Sequence, residues 1–220
     1  MRIAEAYIGE YASGKSEVAL NRALSLLEQG HAQVTLVDFD LVEPFYTLRP
    51  LKKELEEKGL AVLAWETRET IGLGEAGTLL RADMRWALRR PGDVIFDVGY
   101  GIAGARKIAL IEGAEKQGEL KIYVVVNVSR PMTSRKEEIV EYVRSLGRVD
   151  GLINNSHLGD DTDIETIQYG AIIVNEAALE LGMRVEWTAA EEKFAALLGS
   201  KDTAGNPVRY IRRFMNRSFW

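Results

Sequence analysis

Short apolar runs of strand length recur along the chain and alternate with segments of helical spacing. The runs are rich in β-branched residues and contain few polar positions, which is typical of strands buried on both faces of a parallel sheet. They are Ile3–Ile8, Val34–Val37, Ala61–Trp65, Val94–Phe96, Ile122–Val128, Leu152–Ile153 and Val185–Trp187. Because helical segments separate these runs, the sequence predicts an α/β fold, a doubly wound, mostly parallel sheet with helices on both faces.

Helix boundaries are marked by glycines and by capping patterns. Gly30 stops the first helical segment, and Gly182 stops the last long one. Ser134-x-x-Glu137 and Thr162-x-x-Glu165 each place a capping hydroxyl three residues before a carboxylate. These two patterns predict capping boxes at the starts of two helices.

The chain has 220 residues, of which 46% are hydrophobic, enough to fill one large core. We find no repeat or glycine/serine linker that would divide it. We therefore expect one domain over residues 1–198, followed by a basic, aromatic tail over residues 199–220.

Composition excludes several classes of site. The absence of cysteine excludes disulfides, thiolate zinc sites, iron–sulfur clusters and thiol nucleophiles. The net charge of −5 argues against general nucleic-acid binding. No apolar run approaches the roughly 20 residues of a membrane span, and the first residues lack a signal-peptide profile, so we expect a cytoplasmic protein.

A glycine-bounded loop directly follows the first strand-like run and precedes a helical segment. Its residues are Gly9, Glu10, Tyr11, Ala12, Ser13, Gly14, Lys15 and Ser16, and they match the pattern G-x-x-x-x-G-K-[ST]. The glycines allow a tight turn in which backbone N–H groups and the helix N-terminus converge on an anion. We predict that Lys15 reaches the β and γ phosphates of a nucleotide and that Ser16 ligates Mg²⁺, with Glu17 next in the helix.

Carboxylates follow the second and fourth strand-like runs. Asp38 and Asp40 leave the carboxyl edge of the sheet, where doubly wound folds bind their ligands. Asp97 ends the fourth run and precedes a glycine-rich segment. We expect Asp38 and Asp97 to support the metal and Asp40 to orient the attacking water, although an aspartate at a strand end also commonly caps the next turn.

Residues 1–190 resemble the MinD/ParA/Mrp-like branch of the SIMIBI P-loop NTPases. The resemblance rests on the phosphate loop, on the Asp-x-Asp at Asp38 and Asp40, and on the segment that begins at Asp97. It implies ATP binding with Mg²⁺, slow hydrolysis and, in many members, nucleotide-dependent dimerisation. Within this family the first Asp-x-Asp residue supports Mg²⁺ and the second activates water. Many members carry a second lysine after the first loop glycine, where this chain has Glu10, so the loop is an ordinary Walker A motif.

The segments after two late strands are the candidates for contacting the base of the nucleotide. GTPases commonly read guanine with Asn-Lys-x-Asp, and neither Val126–Pro131 nor Ile153–His157 fits that pattern. In the resembling family an asparagine after the sixth strand pairs with adenine, and Asn154 stands in that place. A turn-forming role for Asn154 is the alternative. We expect ATP rather than GTP.

Two functions remain open. The first is an ATPase that acts as a nucleotide-controlled switch or assembly factor with an unidentified protein partner. Such a protein can also form a homodimer, through contacts other than a loop lysine that reaches the nucleotide of the other subunit. The second is an ATP-dependent small-molecule kinase or ligase. Its anionic substrate would be held by Arg68, Arg81, Arg85, Arg89 and Arg90, three of which share one face of a predicted helix.

The tail carries a helix-start signal at Asn206-Pro207 and four arginines among aromatic residues. A basic amphipathic helix of this kind can lie on an anionic membrane. The same residues can dock on protein as a strand or an extended arm, which we prefer, or remain disordered.

Overall fold

A computed structural model describes residues 2–40, 48–65, 80–116 and 118–215. Its strands are β1 (Ala4–Gly9), β2 (Val34–Phe39), β3 (Ala61–Leu63), β4 (Asp93–Val98), β5 (Lys121–Val126), β6 (Gly151–Asn154), β7 (Val185–Glu191) and β8 (Val208–Ile211). Its α-helices are α1 (Lys15–Glu28), α2 (Lys52–Glu57), α3 (Ala82–Arg85), α4 (Gly101–Lys107), α5 (Lys136–Ser145), α6 (Ile164–Leu181) and α7 (Ala195–Leu198). Short 3-10 turns join several of them.

The eight described strands form one sheet in the order β3-β2-β4-β1-β5-β6-β7-β8, and all neighbours pair in parallel. The predicted doubly wound α/β sheet is confirmed. All seven predicted strands are present, and β8, an eighth, lies in the tail. The chain turns outward in both directions from β1, so the loops after β1, β2 and β4 meet at one edge.

Side-chain alternation along each strand creates two cores. Ala6 and Ile8 of β1 pack into the core beneath α4, α5 and α6. Tyr7 points the other way, into the core beneath α1 and α2. Helices thus cover both faces, and the strands carry apolar residues at successive positions because neither face meets water.

The predicted helix caps are displaced by one residue. At α5 the carboxylate that accepts the N–H groups of Ser134 and Arg135 belongs to Glu138, not Glu137. At α6 the capping side chain is Asp163, which accepts from the backbone N–H of Thr166. The predicted stop at Gly182 is confirmed, with a left-handed φ of 66°. None of the helices in the described ranges is long and apolar enough to cross a membrane.

The arginine-rich segment does not form the continuous helix that the spacing predicts. Helix α3 ends at Arg85, and Trp86 leads into a 3-10 turn over Ala87–Arg89. The guanidinium groups of Arg85 and Arg89 lie 5.5 and 3.7 Å from the Trp86 ring centroid, so both cations make cation–π contacts with the same ring. Arg81 pairs with Asp83 at 3.0 Å. Arg68 lies outside the described residues.

The tail contains a strand, so of the alternatives the helix after Asn206-Pro207 is wrong. Val208–Ile211 pairs in parallel with β7, and Val208 lies opposite Thr188. Tertiary hydrogen bonding to an open sheet edge overrides the local helix-start signal. Residues 208–215 dock on the same molecule, which agrees with the preferred alternative of docking on protein. Residues 216–220 lie outside the described part of the chain.

Candidate nucleotide site

The loop between β1 and α1 reverses direction within five residues, and both motif glycines are sterically required. Gly14 has a φ of 81°, and a Cβ there would lie 2.2 Å from Nδ2 of Asn155. A Cβ at Gly9 would lie 2.6 Å from the carbonyl oxygen of Val125 on the neighbouring strand. No side chain caps the start of α1, so its first N–H groups face the loop.

Lys15, the first residue of α1, lies against a carboxylate. Its Nζ is 4.0 Å from Oδ2 of Asp40, and both side chains are at most 10% exposed. Two opposite charges this well shielded interact strongly. Lys15, predicted to reach the phosphates, and Asp40, predicted to orient the attacking water, are therefore brought together at the end of the loop.

Asp38 and Asp97 lie side by side at the ends of β2 and β4. The two residues are register partners, so their side chains leave the same face of the sheet, the face covered by α1. Nε of Arg49 lies 3.6 Å from Oδ2 of Asp38, and both side chains are buried. Arg49 follows an undescribed segment, and no sequence motif marked it as part of the site.

Asp97 is an acid whose pKa is strongly perturbed. The pKa of Asp97 is raised to about 7, chiefly by burial and also by the charges of Asp38 and Asp40, while Lys15 and the nearby Ser16 hydroxyl act in the opposite direction. Both carboxylate oxygens are buried, and neither accepts a hydrogen bond of ordinary geometry from the described residues. A carboxylate of this kind beside a serine hydroxyl fits a divalent cation, which would supply the missing positive charge.

Magnesium would be held here by few protein groups. No cluster of three or more Asp, Glu or His side chains within the described ranges is placed to hold a metal by itself. Mg²⁺ commonly completes its shell with water and phosphate oxygens, so one hydroxyl and one or two carboxylates suffice. The predicted set of Ser16, Asp38 and Asp97 is compatible with that arrangement.

The first residues of the loop fold back on themselves. The carboxylate of Glu10 accepts the backbone N–H of Tyr11, at 2.9 Å. The Tyr11 ring packs edge-on against Tyr100, which follows β4, with 5.5 Å between centroids. The glycine-rich segment after Asp97 thereby contacts the phosphate loop directly.

Two side chains from the late strands hold the loop backbone from the other side. Nε of Arg130 donates to the carbonyl of Ala12 at 3.1 Å, and Nδ2 of Asn155 donates to the carbonyl of Ser13 at 2.8 Å. These contacts fix the part of the loop that turns into α1. The sequence singled out neither residue.

Asn154 is not at the predicted position for reading a base. Its side chain is fully buried, and Nδ2 donates to the carbonyl of Ile167 and to Oγ1 of Thr188, both at 3.3 Å. Its Oδ1 accepts from the N–H and hydroxyl of Ser156. All its hydrogen-bonding capacity is used inside the protein, so the structure supports a structural role for Asn154, and the adjacent Asn155 faces the cavity instead.

His157 is held neutral beside the loop. The pKa of His157 is lowered to about 4, chiefly by burial and also by the charges of Arg130 and Arg213. Its Nδ1 accepts the backbone N–H of Gly159 at 3.2 Å, which is compatible only with a ring unprotonated at that nitrogen.

A cavity of about 590 Å³ joins these features. At one end it is lined by the loop and helix start, at the other by the ends of β7 and β8. The predicted residues that line it are Tyr11, Ala12, Gly14, Lys15, Ser16, Glu17 and Asp40. Its volume is within the range of small-molecule sites.

Comparison with known proteins places the fold. No protein-family model matches the sequence, and no curated protein matches it. Among solved structures, the cell division protein FtsY of Thermotoga maritima superposes with a TM-score of 0.57 and 15% identity, over 87% of this chain and 63% of that one. The signal recognition particle 54 kDa protein of Aeropyrum pernix, in complex with GDP, superposes with a TM-score of 0.57 and 18% identity, over 86% of this chain and 41% of that one.

A third neighbour is FlhF complexed with GTP and Mg²⁺, with a TM-score of 0.53 and 14% identity over 84% of this chain and 64% of that one. The chain thus spans about six-tenths or less of the length of these proteins. At such identities the likeness concerns the fold. Together with the loop after β1, it gives this chain the α/β fold of the P-loop NTPases.

Proposed function

We propose that the protein binds ATP with Mg²⁺ and hydrolyses it slowly, acting as a nucleotide-controlled switch or assembly factor. The observation that carries the proposal is the buried contact of Lys15 with Asp40, at 4.0 Å, in the lining of the cavity, with Asp38 and Asp97 paired on the neighbouring strand ends. The GTP- and GDP-bound neighbours support nucleotide binding in a fold of this kind.

The contact between Lys15 and Asp40 suggests how a triphosphate would organise the site. Phosphate oxygens carry more negative charge than one carboxylate, so Lys15 would turn from Asp40 to the β and γ phosphates. Asp40 would then accept a hydrogen bond from the water that attacks the γ phosphate. Bound Mg²⁺ would neutralise charge on the phosphates, held by Ser16 with Asp38 and Asp97.

ATP is preferred to GTP because the base end of the cavity offers no free carboxylate among its described residues. Guanine presents two N–H donors, which the aspartate in the fourth position of Asn-Lys-x-Asp commonly accepts. In the segment that begins at Asn127, the fourth position is Arg130, which cannot accept them. Asp160 and Glu191 line the cavity, but both are ion-paired with Arg213.

The kinase or ligase alternative gains little from the arginines that suggested it. Arg81, Arg85 and Arg89 contact Asp83 and Trp86 on the surface, and they are absent from the described cavity lining. The switch is favoured because Tyr100, in the segment after Asp97, packs on the phosphate loop, where it can respond to a γ phosphate.

Calorimetric titration tests the proposal. The protein should bind MgATP more tightly than MgGTP, and Lys15→Ala should abolish tight binding with the circular dichroism spectrum unchanged. Lys136→Ala is the control, since Lys136 pairs with Glu180 on the surface and does not line the cavity. Equal MgATP affinity in Lys15→Ala and the parent would refute the phosphate-loop assignment.

Turnover measured as ADP release distinguishes the two activities. Slow release without an acceptor supports the switch. Release that depends strongly on one member of a metabolite panel would instead support the kinase or ligase.

A further inference from the structure

Residues 208–215, here the carboxyl-terminal strap, run from the edge of the sheet to the start of α1. After β8 the chain meets Asn21, on the second turn of that helix. Oδ1 of Asn21 accepts the backbone N–H of Arg212 at 2.9 Å, and its Nδ2 donates to the carbonyl of Arg212 at 2.8 Å. One side chain therefore pairs with both polar groups of one strap residue, as a neighbouring strand would.

The strap is attached a second time, one turn earlier on α1. The carboxylate of Glu17 accepts the backbone N–H groups of Phe214 and Met215, the latter at 2.9 Å. Burial raises the pKa of Glu17, and the two N–H donors oppose that shift by favouring the charged form. Glu17 directly follows Ser16, so the strap is bonded to the helical turn that the phosphate loop opens.

The strap also contacts the far side of the cavity. The guanidinium of Arg213 pairs with Asp160, in the segment after β6, and lies 3.9 Å from Glu191 at the end of β7. The pair with Asp160 is solvent-exposed on the carboxylate side and contributes little energy. It does orient Arg213 across the cavity.

Three strap residues form one wall of the cavity: Ile211, Arg213 and Met215. Ile211 ends β8, which lies beyond β7, and β7 is three strands away from β1, roughly 14 Å at the usual spacing. A nucleotide with its phosphates on the loop would extend its base in this direction. An aliphatic chain, a thioether and a planar guanidinium offer the surfaces on which a nucleobase packs.

We infer that the carboxyl-terminal strap is the base-side wall of the nucleotide site and that strap docking and nucleotide binding stabilise each other. The inference rests on the proposed function, since it concerns the same cavity. Reciprocity is required by thermodynamic linkage: if a docked strap raises nucleotide affinity, then bound nucleotide holds the strap in place. Arg213 contacts the base, and Asn21 and Glu17 position the strap.

Comparing MgATP with magnesium tripolyphosphate tests this wall, because tripolyphosphate keeps the phosphates and lacks the base. Arg213→Ala should raise the Kd for MgATP about tenfold and change the Kd for tripolyphosphate less than twofold. Arg212→Ala is the matched control. That side chain is 62% exposed and pairs with Glu192 on the surface, so both Kd values should stay within twofold of the parent's.

Hydrogen exchange tests the coupling independently. MgATP should slow exchange of the amides of Phe214 and Met215, whose N–H groups bond to Glu17. Asn21→Ala should speed their exchange in the free protein and weaken MgATP binding. A variant ending at Ile211, with its fold checked by circular dichroism, should reproduce the MgATP defect if Arg213→Ala does not fold.

The outcomes separate the two proposals. A parent protein that binds neither MgATP nor tripolyphosphate refutes the proposed function. A parent that binds both, with Arg213→Ala or the shortened chain binding MgATP equally well and exchange at Phe214 and Met215 unaffected by MgATP, refutes only the inference about the strap.

Discussion

Replacing His157 with glutamine should remove part of the acid sensitivity of folding. The pKa of His157 is lowered to about 4 by burial and by two nearby arginines, against 6.5 in an unfolded chain. Between these values the unfolded state binds a proton that the folded state does not. The free energy of unfolding therefore falls as the pH is lowered from about 6.5, and the loss is complete below about pH 4.

The size of the effect is set by the shift. Each pKa unit corresponds to about 1.4 kcal/mol, so the full loss would be roughly 3.4 kcal/mol, of which about 2 kcal/mol is reached at pH 5. Asp97 acts with the opposite sign. Because its pKa is raised to about 7, the folded state binds the extra proton, and lowering the pH below 7 stabilises the fold through this group. This contribution is the same in the parent and in His157→Gln, so it cancels when their free energies of unfolding are subtracted.

Urea unfolding of the parent and of His157→Gln, without nucleotide or Mg²⁺, at pH 7 and at pH 5 measures the difference. The parent should lose about 2 kcal/mol more than the variant between the two pH values. Any loss in the free energy of unfolding that is the same at both pH values reflects packing or hydrogen bonding at this position and does not bear on the result. Parallel pH dependence in the two proteins would show that His157 titrates normally and is not held neutral.

Three further changes address the site. Gly14→Ala should abolish MgATP binding, measured by calorimetry, because a Cβ would lie 2.2 Å from Nδ2 of Asn155 and φ is 81°; undiminished affinity would contradict the loop geometry. Asp40→Ala should keep MgATP binding and lose ADP release, and an equal loss of affinity would instead assign Asp40 to the metal. Asn154→Ala should lower the free energy of unfolding in urea by about 1 to 3 kcal/mol and leave the ATP-to-GTP affinity ratio unchanged, whereas a changed ratio would restore Asn154 as the base reader.

Local pattern was sufficient for the first seven strands and for the phosphate loop. Strands buried on both faces must be apolar at successive positions, so Ile3–Ile8 and its counterparts were legible in the sequence. The need for glycine at positions 9 and 14 could also be predicted, since a turn that brings backbone N–H groups together leaves no room for a side chain. Asp38, Asp40 and Asp97 could be grouped because parallel strands end at the same edge.

Contacts between distant segments could not be read in this way. Arg49 contacts Asp38, and Arg130 and Asn155 hold the loop, but no spacing rule connects them to it. Whether Asn154 or Asn155 faces the cavity depends on the side to which each points at the end of β6, and a change of one residue in register reverses that orientation.

The tail illustrates the same division. Asn206-Pro207 is a valid local start signal for a helix, and the sequence alone determined the basic and aromatic character of residues 208–220. Only the tertiary structure decided that Val208–Ile211 is a strand, because the edge of β7 offers a row of backbone partners that a helix could not use. The side chains of Glu17 and Asn21, nearly 200 residues earlier, then bind the backbone of the residues that follow β8. Long-range pairing of this kind is decided by packing and not by local propensity.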